Sequence, residues 1–271
     1  MRITEGGNST IFHAIPDWVY EEEVFESKYA MWWSPDSSKI AYLRFDETDV
    51  DEFTFPIYNP TEDANTVIPY PKHVTMRYPK PGYANPLVSV HVFDLNGYLA
   101  AVDAEFPAPL SRNKWELSWE DQRPQTDSII QEVAWIDENS LIVKEINRSG
   151  NVGNVVLFNL QYPDRRGSIV RRLGKNGEEG DSGWIDSVSS MRHLIWGLME
   201  LISMQSHRIH PLEEQDGGAA TAYLDVVPNK DGFNHIALFS PADSSTPVWL
   251  TSGPWEVTSG ILGIDNQKGL V

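Results

Sequence analysis

Apolar residues along this chain come in short runs rich in β-branched and aromatic side chains. Glycine, proline and acidic turns separate them. "KIAYLRF" (39–45), "LVSVHVFDL" (87–95), "SLIVKEI" (140–146), "NVVLFNL" (154–160) and "HIALFSP" (235–241) are examples. Within "VSVHVFD" the polar and apolar positions alternate with period two, as in a half-buried strand. The pattern predicts many short strands. It also repeats. "VHVFDL", "VVLFNL" and "IALFSP" place a phenylalanine at 93, 158 and 239. "WWSPDSSKIAYLRFDET" (32–48) and "AWIDENSLIVKEINRSG" (134–150) both read tryptophan, acidic turn, strand, polar exit. "AYLDVVPNKDGFNHIALFSP" (222–241) gives strand, turn, strand, and "PVWLTSGPWEV" (247–257) an outer strand and exit. Units of about 40–50 residues holding several antiparallel strands are propeller blades. The spacing here is wider, so some blades are expected to carry inserted loops. A sandwich with long loops fits the same pattern.

One segment departs from it. "SVSSMRHLIWGLMELISMQSHRIHPLEEQ" (187–215) has a helix-like centre, with Leu194, Leu198, Leu201 and Ile202 on one face. It reads as an irregular, helical insertion near 187–216 or as mistranslated sequence. Its apolar centre is too short to span a bilayer and contains Glu200. At the ends, "RIT" reads as the outermost strand of a blade, and "TSGILGIDNQKGLV" as the start of another. The expectation is a fragment of a longer chain.

Acids outnumber bases by 39 to 21, giving a net charge of -18 over 271 residues. That disfavours nucleic acid and anionic membranes as partners and suits a site that receives cations. Cysteine is absent, which excludes disulfides and thiolate zinc sites. "MRITEGGNST" is polar and has no apolar signal core.

The most unusual stretch is "DWVYEEEVF" (17–25). Asp17 is placed to cap a helix start, and acids in a first turn favour the helix dipole, which needs no function. Yet Glu21, Glu22 and Glu23 lie between Trp18, Tyr20, Val24 and Phe25. Partial burial there would raise their mutual repulsion, and a bound cation would relieve it. A free α-amino group, with a pKa of about 7.7–8.0, is such a cation and offers three donors. Other motifs carry less. "GDSGW" (180–184) imitates the serine motif of trypsin-like proteases but has no matching histidine segment, so Ser182 reads as part of a turn. "HRIHPLEE" places His207, His210, Glu213 and Glu214 close together at a spacing that matches no standard metal site. "RYPKPGYANP" (77–86) reads as a rigid loop entering a strand. Sequons at Asn8 and Asn147 are candidate glycosylation sites only in a secretory protein. Nothing calls for a cofactor.

"AIPDWVYEEEVF", followed by "WWSPDSSKIAYLRFDETDV" and "YPKPGYANPLVSVHVFDL", resembles the propeller of the dipeptidyl peptidase IV family, above all its fungal members. "GWID" and "YLDVVPNKDGFNHIALFSPADSSTPVWLTSGPWEV" continue the resemblance, which leaves out only about 187–216. It implies an all-β chain, several four-stranded blades of an eight-bladed propeller, stacked in the whole protein on an α/β-hydrolase domain. Residues 1–271 would be part of the N-terminal propeller. Such enzymes remove X-Pro or X-Ala dipeptides from free N-termini. By resemblance, Glu22 and Glu23 bind the substrate's ammonium and Glu21 is structural. The catalytic serine, aspartate and histidine belong to the hydrolase domain, so this chain contains no catalytic residue and hydrolyses nothing by itself. A non-catalytic propeller module from an inactive relative is the alternative. The resemblance further implies peptide substrates, the hydrolase domain and a homodimer of the full-length form as partners. It implies a place in the secretory pathway, either secreted or anchored in the vacuolar membrane by a helix upstream.

Overall fold

The computed structural model describes residues 3–102, 110–162, 164–174, 185, 209–212, 222–258, 260–261 and 263–265. Side chains at 110 and 111 are outside that set. Among the described residues, fifteen strands form three antiparallel sheets and one separate hairpin.

The first sheet contains β1 (Ile11–His13), β2 (Met31–Trp33), β3 (Lys39–Asp46), β6 (Leu87–Asp94) and β7 (Lys114–Glu116). β1 and β2 share one edge of β3. Ile11 to His13 pair with Asp46 to Arg44, and Met31 to Trp33 continue along Tyr42 to Ile40. They therefore act as one strand, interrupted by an excursion. Between β3 and β6 the chain makes the hairpin β4 (Glu52–Ile57) and β5 (Lys72–Arg77), which is largely exposed. This is the inserted loop that the wide spacing predicted. Helix α1 (Leu95–Val102), absent from the strand pattern, follows β6. Asp94 caps it, its carboxylate accepting from Gly97 N at 2.8 Å.

The second sheet is a plain meander of β8 (Ser128–Trp135), β9 (Ser140–Asn147), β10 (Val152–Asn159) and β11 (Ser168–Gly174). The third repeats it with β12 (His210–Leu212), β13 (Ala222–Pro228), β14 (Asn234–Phe239) and β15 (Val248–Trp249). The repeated phenylalanines are structurally equivalent. Phe93, Phe158 and Phe239 lie on β6, β10 and β14, the third strand position of each sheet, and all are buried.

Alternation puts successive residues on opposite faces, and the core follows that rule. Ala41, Leu43, Phe45, Val88 and Val90 of the first sheet meet Val133, Leu141, Val143, Val156 and Phe158 of the second. The opposite face of the second sheet, with Ala134, Ile142 and Val155, meets Tyr223, Val227, Ala237 and Phe239 of the third. The far face of the third sheet gathers a smaller cluster around Leu224 and Val226. Three sheets stacked in chain order are consecutive blades of a partial propeller, and a two-layer sandwich is excluded for this arrangement.

Two expectations need correcting. Within the irregular, helical insertion expected near 187–216, residues 210–212 are instead the strand β12 and pair with Leu224 to Ala222. The helix-like centre 194–202 lies outside the described residues. No strand is found at Ile3 and Thr4, nor among the described residues after Trp249. Among the described residues no helix is long and apolar enough to cross a membrane.

Candidate functional site

The excursion from β1 to β2 carries the glutamates, and its neck is tightly closed. Ala14 N donates to Leu43 O at 2.9 Å, Leu43 N to Ala30 O at 3.0 Å, and Ala30 N to Ala14 O at 3.0 Å. Ala14 reverses the chain with φ 62, a conformation few non-glycine residues adopt. Residues 15–29 thus leave and rejoin the same point on β3.

Inside the excursion the sequence builds one helical turn. Asp17 caps it as expected, its carboxylate accepting from Val19 N and Tyr20 N, both at 3.1 Å. Phe25 N then donates to Tyr20 O at 2.8 Å, which widens the turn to an i→i+5 geometry over Tyr20–Val24. Positions 20, 24 and 25 point inward and pack on the core, so positions 22 and 23 point out. Tyr20 is almost wholly buried, with its ring 5.0 Å from Phe45 and 5.5 Å from Phe25. Its hydroxyl accepts a hydrogen bond from Ile130 N of β8 at 3.0 Å. The turn is therefore pinned to two sheets at once.

Glu22 and Glu23 are both exposed, and Glu21 is half-buried. The expected partial burial of the whole trio does not hold. The reason is the turn's own amphipathicity, which spends its inward positions on Tyr20, Val24 and Phe25. Burial falls instead on Asp17, whose pKa it pushes up to about 6 against the hydrogen bonds from Tyr20 and Val19.

A second carboxylate shares that fate. Glu47, at the polar exit of β3, is 7% exposed. Burial first, and the charge of Asp17 second, raise its pKa to about 7, with Arg77 opposing. Both carboxylates line an open cleft of about 450 Å³ between the excursion and the root of the β4–β5 hairpin. Glu47 carries no separate signal in the sequence, because "FDET" reads as an ordinary polar strand exit. The two carboxyls have pKa values raised above their unfolded values near 4. The folded chain therefore holds more protons than the unfolded one between about pH 4 and pH 7, and stability falls as pH rises through that window. Glu47→Gln is expected to lose less stability than the wild type between about pH 5 and pH 8, and to be the more stable of the two at about pH 8. Urea unfolding at both pH values measures this, and identical pH dependence would refute it.

The remaining sequence candidates are dispersed. Asn8 is exposed, and its side chain closes a turn onto Thr10 N and Ile11 N. Asn147 holds the β9–β10 turn through Asn151 and Val152. His210 lies in β12, while His207, Glu213, Glu214 and Ser182 lie outside the described residues. The loop at 77–86 enters β6 as expected, and its Tyr78 ring packs 4.5 Å from Trp18. Among the described residues no group of three or more His, Asp or Glu side chains could hold a metal ion. His91 is uncharged at neutral pH. Burial, then neighbouring Lys114, push it down to about 4.

A family model for the dipeptidyl peptidase IV N-terminal region matches residues 1–271. A probable dipeptidyl-aminopeptidase B of Aspergillus fumigatus is 32% identical over 99% of this chain, and that of Tuber melanosporum 30% identical over 100%. The match covers 26% of each relative, so the chain spans about a quarter of their length. Among solved structures, Porphyromonas gingivalis dipeptidyl peptidase 4 aligns with a TM-score of 0.64 at 24% identity, over 97% of this chain and 29% of that one.

Proposed function

This chain belongs to the family of dipeptidyl peptidase IV N-terminal regions, and from that premise we propose that it is the substrate-recognition part of a serine exopeptidase. In this reading the propeller, eight-bladed in the whole protein and represented here by several of its blades, holds the free N-terminus of a peptide while an α/β-hydrolase domain cuts after the second residue. Glu22 and Glu23 are the amine anchor. The supporting observation is their presentation: two adjacent exposed carboxylates on a turn fixed by Asp17 below and by Tyr20 behind.

The chemistry is charge-assisted hydrogen bonding. A protonated α-amine offers three donors, and two carboxylates on neighbouring positions of one turn can each accept from it. An anchor held rigidly on one domain and a nucleophile on another set a register of two residues, because only one peptide bond then reaches the attacking oxygen. Preorganisation matters here, since exposed carboxylates on a loose loop would be screened and entropically costly to align.

Glu22→Gln or Glu23→Gln in the full-length protein is expected to lower kcat/KM for a Gly-Pro chromogenic substrate by about ten- to a hundredfold, the worth of one hydrogen bond to a charged group. Fold should be unaffected, because both side chains are exposed. Unchanged kinetics in both variants would remove the amine-anchor role. A full-length wild type without turnover would instead favour the non-catalytic binding module.

A further inference from the structure

The cleft beside the excursion has a chemistry of its own. Glu47 is fixed through its backbone, with its N–H on Thr10 O at 2.8 Å and its carbonyl accepting from Val50 N at 3.0 Å. Its side chain, though more than nine-tenths buried, makes no hydrogen bond or ion pair among the described residues, and it lines the cleft. Arg77 lines it too but is committed elsewhere, to Val50 O, to Thr48 O at 3.4 Å and to Glu52 at 3.7 Å. Asp17 stands behind Glu47 and spends its oxygens on the helical turn. The charged groups facing the cleft are thus Asp17, Glu47, Glu52 and Arg77, an excess of negative charge. The rest of the lining combines the hydroxyls of Ser9, Thr10 and Thr75 with the apolar or aromatic Phe12, Trp18 and Met76.

The Glu47 carboxylate is open to the cleft and has no partner of its own among the described residues, so an entering cation supplies the charge it lacks. A metal ion is a poor candidate, since the described residues offer no converging set of three ligands. Anions are repelled. We propose that this cleft binds a primary ammonium on an aliphatic stem, the chemistry of a lysine side chain, with Glu47 as acceptor and Phe12, Trp18 and Met76 along the stem. Aromatic faces favour both the methylenes and the charge. The volume, about 450 Å³, suits one such side chain with room for water. The site is independent of Glu22 and Glu23, which are exposed on the outward side of the turn.

The probe is Nα-acetyl-lysine N-methylamide, which has a side-chain ammonium and no free α-amine. It is titrated into the 271-residue chain by calorimetry, with the norleucine analogue as the uncharged control. Saturable 1:1 binding of the lysine probe and none of norleucine is expected. Glu47→Gln should weaken binding by about tenfold or more, the worth of one charge-assisted hydrogen bond. Affinity should rise between about pH 6 and pH 8, as Glu47 gives up its proton. Met76→Lys, which supplies an ammonium from β5 itself, should abolish probe binding without touching Glu47. The Glu22→Gln/Glu23→Gln double variant should bind as the wild type does. Absence of saturable binding, equal binding of norleucine, or an affinity unmoved by Glu47→Gln would overturn the proposal. So would loss of binding in the double variant, which would place the ammonium at the exposed pair.

Discussion

Asp225→Ala is expected to cost the chain about 3–5 kcal/mol, the usual consequence of removing one partner from a buried ionic group. Asp225 is fully buried at the seam between the second and third sheets. One of its oxygens accepts from Lys144 Nζ at 2.9 Å, the other from Arg171 at 2.5 Å. Lys144 also meets Glu132 at 3.0 Å, and Glu132 in turn accepts from Ile209 N at 2.9 Å, just before β12. The Arg171 guanidinium lies 3.9 Å from the centre of the Phe239 ring. Among the described residues, Lys144 and Arg171 are thus tied to Asp225 and Glu132 inside the seam. Without Asp225, Lys144 and Arg171 lose the acceptor they share inside the seam. Urea unfolding of the variant measures the loss, and a cost below about 1 kcal/mol would mean the network is not cooperative. The double variant Lys144→Met/Asp225→Ala should recover part of the loss, because it removes one stranded charge together with its missing partner.

That network also marks the limit of what the sequence discloses. The strands were legible because each alternates or runs apolar over its whole length. "KIAYLRF" becomes β3 and "SLIVKEI" becomes β9 with nearly the expected bounds. The repeat was legible because the three phenylalanines occupy equivalent strand positions. Lys144 and Glu145, by contrast, read as a polar interruption of "SLIVKEI", yet both are buried. Their partners are on other strands, at Asp225, Glu132, Ser128 and Asn154, and no local pattern encodes such pairings. The same holds at the candidate site. The acid run was visible, but its exposure depends on where Tyr20 is inserted. The collinearity of β1 and β2 depends on β3, whose sequence says nothing of it. Glu47 lacked any signal, since its burial comes from the excursion and the hairpin closing over a strand end.

Tyr20 is where stability and site geometry meet, and two substitutions separate its contributions. Tyr20→Ala removes a buried ring from the contacts with Phe45 and Phe25 and is expected to cost about 3–5 kcal/mol, as large-to-small changes at aromatic core positions do. Tyr20→Phe keeps the ring and removes only the hydroxyl. It leaves Ile130 N–H buried without its acceptor, at a cost of about 1–3 kcal/mol. Burial also raises the phenol's pKa, so the hydroxyl stays neutral at any ordinary pH and the bond to Ile130 does not titrate. The smaller change is the more informative one. Ile130 is on the second sheet and the turn belongs to the first, so this one bond fixes the bearing of Glu22 and Glu23 relative to the neighbouring blade. Hydrogen exchange at Ile130 should rise in Tyr20→Phe, while exchange at Leu43 and Ala30, which close the neck of the excursion, should not. Equal protection of Ile130 in both proteins would show that the turn is held by packing alone, and the hydroxyl would then have no part in aiming the glutamates.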